Sequence, residues 1–196
     1  MNNYEYIIAS LPVLAREDSS QPAAAELLEE IRSQLSEKDC AVLDFMLEGY
    51  DPQKLDASFY EKAAKSHSHF IREFFAFDLG LRNDKVRWLN ASLGRHPEQD
   101  CIVLGEEPEV FPAEAEAMAV LEGSDILGRE RGLDDMMWKK AEEICLMDVF
   151  TLDVILGFVA KLKIVDRWLI LDEETGRALF RRLLAEIKET KTKDSI

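Results

Sequence analysis

The stretch from Ser58 to Leu93 constrains the fold more than any other part of the chain. Its apolar residues recur at helical spacing and leave two stripes, not one. On a wheel of about 100° per residue, Phe70, Phe74, Phe77, Leu81 and Trp88 fall in one narrow arc. Ile71, Phe75, Leu79, Val86, Leu89 and Leu93 fall in a second arc beside it. Two stripes must be buried against two neighbours, since exposed apolar surface forgoes about 25 cal/mol per Å². The spacing therefore predicts one long helix over 58–93, packed inside a helical assembly. Arg72, Glu73, Asn83, Asp84, Arg87 and Asn90 lie on the opposite side of the wheel and read as its solvent face. An aromatic stripe of this kind is a packing surface before it is a cofactor box.

The neighbours come from further helical patterns. Ser20 and Pro22 form a start signal for a helix over Ala23–Leu35. Ser36 restarts the pattern, its hydroxyl able to cap the amide of Asp39, and the helix runs to Gly49 before Asp51-Pro52. Later helices are expected over Ala113–Leu121, Leu133–Met147, Leu152–Leu171 and Thr175–Thr190. Leu152, Ile155, Leu156, Val159 and Leu162, with Val154, Phe158, Val165 and Leu169, leave the third of these apolar on nearly every side, as a central helix would be. The last, with Leu179, Phe180, Leu183, Leu184 and Ile187 opposed by Arg177, Arg181 and Arg182, suits the outside of a bundle. Tyr6–Leu14 and Cys101–Leu104 are short apolar runs of ambiguous type, and no strand partner offers itself. The fold class is all-α, in two helical subdomains over 1–96 and 113–196, joined by a Pro/Gly linker over 97–112. Arg87-Trp88-Leu89 recurs as Arg167-Trp168-Leu169, eighty positions on, which admits a repeated helical-bundle unit.

Composition narrows the function. The 196 residues carry a net charge of −15, and residues 97–125 contain nine acids and no base. Such a field opposes phosphate backbones, so no nucleic-acid partner is expected. The longest apolar run, Val154 to Ala160, falls far short of the ~20 residues of a membrane span. The first residues lack the basic, apolar and small-residue order of a signal peptide, and a cytoplasmic location is expected. Cys40, Cys101 and Cys145 are far apart and read as reduced thiols.

Catalytic signatures are missing. His67 and His69, two apart, would point about 160° away from each other on a helix and could not share a metal there. The glycines form no phosphate-binding loop, the acidic clusters no calcium loop, and the cysteines and serines no recognisable nucleophile elbow. We therefore expect a protein that is not an enzyme, with no cofactor and no metal. Interest falls on Asp78, Arg82 and Lys85, which project between the two apolar stripes. Asp78 precedes Arg82 by four residues, the favourable order for an intrahelical ion pair. Either this is a rim pair, or the strip meets another helix or another protein.

Two stretches carry a resemblance. Phe74-Phe75-Ala76-Phe77-Asp78-Leu79-Gly80-Leu81-Arg82-Asn83, continuing to Trp88-Leu89-Asn90-Ala91-Ser92-Leu93-Gly94-Arg95, resembles the acid, spacer, Leu-Arg-Asn pattern of helices in the V-type ATPase C/d family, the stalk component named d in eukaryotes. Leu152–Leu171 is similar to a second such helix, with Val165 where the acid is expected. Tyr4-Glu5-Tyr6-Ile7-Ile8-Ala9-Ser10-Leu11-Pro12 resembles the start of a short bacterial family encoded beside V-type ATPase operons. The resemblance implies an all-helical, non-catalytic component that couples or assembles the rotor with the membrane ring. Its implied partners are the central-stalk and membrane-ring subunits, with peripheral membrane association through the complex. Asp78, Arg82 and Asn83 match the motif and, with Lys85, are the candidate partner-binding residues. An acidic helical adaptor unrelated to the ATPase is the alternative, and a metal-dependent hydrolase using its carboxylates is a second.

Overall fold

A computed structural model describes residues 4–14, 24–105 and 110–170. Among these residues every regular element is a helix. The order is α1 (Tyr4–Ser10), α2 (Ala24–Gln34), α3 (Glu37–Glu48), α4 (Ala57–Ala64), α5 (His69–Ser92), α6 (Glu114–Leu121), α7 (Ile126–Ile144) and α8 (Leu152–Ile170). The all-α class expected from the periodicity is therefore correct. The ambiguous run near the N-terminus is α1, and the run Cys101–Leu104 is irregular chain without a strand partner among the described residues. The start signal at Ser20 and Pro22 and the helix expected over 175–190 lie outside the described residues.

Local chemistry sets several boundaries. Ser36 caps α3 by accepting from the amide of Asp39, and the helix closes at Gly49. Asp125 caps α7 by accepting from the amides of Leu127 and Gly128. This start lies seven residues before the expected Leu133, so Gly128 and Gly132 fall inside the helix. Gly132 instead lets α7 approach α6, since a Cβ there would come within 2.6 Å of Val120.

The single helix expected over 58–93 is two. Residues 65–68 turn the chain between α4 and α5. Ser68 caps α5 through the amide of Ile71, and Arg72 folds back to donate to the carbonyls of Ser66, His67 and Ser68. Asp153, in the first turn of α8, adds the decisive partner: it accepts from the Ser68 hydroxyl at 2.9 Å and from the amide of Phe70 at 3.2 Å. The helix start is thus stabilised from the far half of the chain. His67 lies in this turn and His69 opens α5, so the two do not share one helix.

The packing is centred on α5 and α8. Phe70, Ile71, Phe74 and Phe75 of α5 and Ile155, Leu156, Val159 and Leu162 of α8 lie in one buried cluster. That cluster also draws on α1 through α4 and on α7, so residues from both sides of 97–112 share one core. Phe59 stands edge-on to Phe75 with centroids 4.8 Å apart and stacks on Phe45 at 4.9 Å. The bareness of Gly49 makes room for this group, since a Cβ there would run into Phe75 and Phe59. Lys85 meets Glu130 at one end of α5, and Phe77 meets Lys140 towards the other, so α5 and α7 run antiparallel. A second, smaller cluster of Leu81, Ala117 and Met136 joins α5, α6 and α7.

The two Arg-Trp-Leu copies lie on either side of α7. Arg129 covers the ring of Trp88 at 4.7 Å, and Arg131 covers that of Trp168 at 4.9 Å. The likeness stops there. Eighty positions after Asp78 stands the buried Phe158, which has no ion pair to offer.

Candidate partner-binding site

The polar residues of α5 do not share one environment. The expectation of a solvent face is wrong for Asp84 and Asn90, which are 1% and 5% exposed. What covers Asn90 is the chain that leaves the helix. Gly94, at φ +68°, ends α5 in a left-handed turn that sends the amide of Arg95 back to the carbonyl of Asn90 at 2.8 Å. Residues 97–104 then return along the helix as a strap. Asn90 donates to the carbonyls of Pro97 and Gln99, at 3.2 and 2.6 Å. Arg87 bridges Glu98 and Asp84. Asn83 both donates to the carbonyl of Ile102 and accepts from its amide, at 2.8 and 3.0 Å. Three side chains at positions 83, 87 and 90 thus hold an irregular segment, two of them by its own backbone groups.

Below the strap lies a cavity of about 790 Å³ lined in part by Tyr60, Phe75, Phe77, Ile102, Phe111 and Met136. Phe111 stands edge-on to Phe77 with centroids 5.1 Å apart. It reaches the α5 backbone because position 80 is glycine; a Cβ at Gly80 would overlap its ring.

Asp78, Arg82, Asn83 and Lys85 now separate. Asn83 is occupied by the strap. Lys85 pairs with Glu130 of α7. Asp78 is mostly buried, and its Oδ2 accepts from both the Tyr60 hydroxyl and Arg82 Nε, each at 2.7 Å. Arg82 is the exposed member, with 52% of its side chain open to solvent. Partial burial works against the guanidinium charge, but the Asp78 carboxylate overrides it and the net shift is upward. The strip expected from the wheel is therefore one exposed cation on a buried support, flanked by residues that tie α5 to its neighbours.

Two further groups escape a reading of α5 alone. Tyr50, in the turn after α3, has a buried hydroxyl with no hydrogen-bond partner. Burial first, and Asp78 second, raise its pKa, so it is a protonated donor throughout the ordinary pH range. Asp134 of α7 also acts on Tyr50, and it accepts from Trp168 Nε1 and from Arg167, each at 2.7 Å. Burial raises the Asp134 carboxyl, while Arg167 and the indole N–H oppose the rise. No spacing rule links Tyr50, Arg82 and Asp134, which belong to three different elements.

Among the described residues no group of three or more His, Cys, Asp or Glu side chains is arranged to hold a metal ion. No helix among them is long and apolar enough to cross a membrane. The Cys145 thiol donates to the carbonyl of Asp153, and burial, with Asp153 and Asp148, pushes its pKa up to about 11. It is therefore poorly suited to act as a nucleophile near neutrality.

Neither the curated proteins nor the solved structures compared with this chain give a match. A family model described as protein of unknown function (DUF2764) matches residues 1–57 and 104–191. It spans most of the chain and leaves out 58–103, which hold α5 and most of the strap. The chain belongs to the DUF2764 family.

Proposed function

We propose that this protein is a non-catalytic, protein-binding component of a bacterial V-type ATPase, a central-stalk or accessory part that couples or assembles the rotor with the membrane ring. The observation that carries the reading is Arg82. It lies within the stretch that resembles the V-type ATPase C/d family, it is half open to solvent, and its orientation is fixed by a buried Asp78 that Tyr60 also engages. An exposed ion pair contributes only about 0.3–0.5 kcal/mol, so folding alone gives little reason to support this cation with a buried acid and a buried phenol. A specific interface needs roughly 800 Å² on each partner, and a desolvated arginine with fixed geometry would orient the contact. The acidic regions would steer association towards basic faces of stalk or ring subunits.

The test is recovery of the complex from native membranes. Tagged chain should bring down V-type ATPase subunits, and Arg82→Ala should weaken that recovery while leaving the thermal melt nearly unchanged. Absence of ATPase subunits from the recovered material would remove the proposal. Recovery of a defined set of unrelated proteins would favour the alternative, an acidic adaptor working elsewhere.

A further inference from the structure

We propose that the chain pairs with a second copy of itself, each protomer seating the tip between α7 and α8 in the other's cavity beneath the strap. The tip is Leu146-Met147-Asp148-Val149-Phe150, and four of its five side chains are apolar. All four are exposed, from Phe150 at one-half to Met147 at nine-tenths. Together they present roughly 500 Å² in one short stretch, as much as the largest apolar patch on most monomers. The tip is braced from below. The amide of Leu146 donates to the carbonyl of Glu143, and that of Asp148 to the carbonyl of Cys145. The Cys145 thiol reaches the carbonyl of Asp153, whose carboxylate also holds the start of α5. A tip fixed in advance loses little freedom on docking.

The same chain carries a place for it. Phe77, Ile102, Phe111 and Met136 make the cavity apolar, and it opens to solvent past the exposed Ala76, Val103 and Ala115. At about 790 Å³ it has room for more than one large side chain, and methionine and aromatic residues are effective anchors in such a pocket. Charge agrees with this seat. Residues 141–160 contain four acids and no base, whereas the charged residues lining the cavity are four basic and three acidic, in a chain of net charge −15. Met136, Lys140 and Glu143 of α7 line the cavity, and Met147 follows at the next helical interval, so tip and cavity adjoin. Two adjoining, complementary patches on one chain can close about a twofold axis, each tip meeting the other's cavity with no open end left. Tip against tip would cover only roughly 500 Å² per copy, short of the ~800 Å² of a stable interface, whereas tip and cavity walls together reach it. Arg82 belongs to neither patch, so the pairing stands or falls independently of the proposed ATPase role.

Sedimentation equilibrium of the full chain should show monomer and dimer with a Kd of about 1–100 µM. Met147→Glu, at an exposed position, should raise that Kd more than about tenfold with an unchanged melt, and so should Ala76→Glu, which sets a charge at the cavity rim. Ala115→Glu replaces the latter if Ala76→Glu lowers the melt. Mixing the two variants tests the geometry. An equimolar mixture of Met147→Glu and Ala76→Glu keeps one intact tip facing one intact cavity, so it should dimerise more tightly than either variant alone. A chain that stays monomeric up to about 1 mM overturns the proposal and leaves the tip to a different polypeptide. A dimer unaffected by both cavity variants means tip-on-tip contact and overturns it as well. Absence of rescue in the mixture, or growth beyond the dimer, overturns the reciprocal seating.

Discussion

The two halves of α5 are built on different principles. From Phe70 to Phe75 the helix is apolar, and its buried rings meet α4 and α8 in the main core. From Leu81 to Asn90 it buries Asp84 and Asn90 beside a single large apolar side chain, Leu81. The first half gains stability from apolar area and close packing, which is non-directional and large. The second half gains little from area. Its side chains satisfy the backbone of the strap, so its contribution depends on geometry, and its failure would be local rather than global.

That contrast can be broken experimentally. The largest effect should come from Phe74→Ala, which opens a cavity among rings that have no solvent to collapse into. A loss of about 3–5 kcal/mol in urea unfolding is expected. A loss below ~1 kcal/mol would show that the first half is not the core described. Asn90→Ala should cost less, about 1–3 kcal/mol, because it strands the carbonyls of Pro97 and Gln99 without deleting apolar volume. Hydrogen exchange at the amide of Ile102 should accelerate in that variant while amides of the first half keep their protection. Uniform acceleration would mean that the two halves fail together.

A pH series sharpens the comparison further. Asp84 has one oxygen on Arg87 and the other, Oδ2, buried without a donor. Burial raises its carboxyl above the ordinary 3.8, and Arg87 only partly opposes this. A carboxyl with a higher pKa folded than unfolded contributes stability that is complete below the ordinary value and is lost as pH rises through the raised one. The wild type should therefore lose ground to Asp84→Asn as pH rises from about 3 to 7. A difference between the two melts that does not change with pH would show that the charge of Asp84 is not penalised by burial. The smallest effect belongs to Arg82→Ala, at or below about 0.5 kcal/mol, since its pair is more than a third exposed on the arginine side. A loss as large as that of Asn90→Ala would assign Arg82 to the internal framework of the second half.

Features under local control were legible along the chain. The Ser36 cap on Asp39, the closure at Gly49, the span of α8 and the Asp78–Arg82 pair all depend on residues near each other in sequence. Where a distant partner decides the outcome, the linear pattern misleads. Nothing in Ser66-His67-Ser68 resembles a Gly or Pro break, and the interruption of the expected long helix is supported by Asp153, far along the chain. Asn83 and Asn90 looked solvated because their wheel positions are polar, yet the strap brings acceptors that no periodicity could reveal. Tyr50 carries no signal in the sequence, and its buried, unpartnered hydroxyl exists only in the folded chain.

By itself, then, the sequence determined that the chain is helical, which residues could face a core, and that one acid and one arginine would pair along α5. These follow from spacing and from side-chain chemistry within a few residues. The tertiary structure alone decided where the long helical pattern is interrupted, which half of α5 is apolar and which is a polar clamp, and why Arg82 remains open while its neighbours are engaged. Those outcomes depend on side chains brought together from distant positions, and a helical wheel holds no information about what will be packed against it.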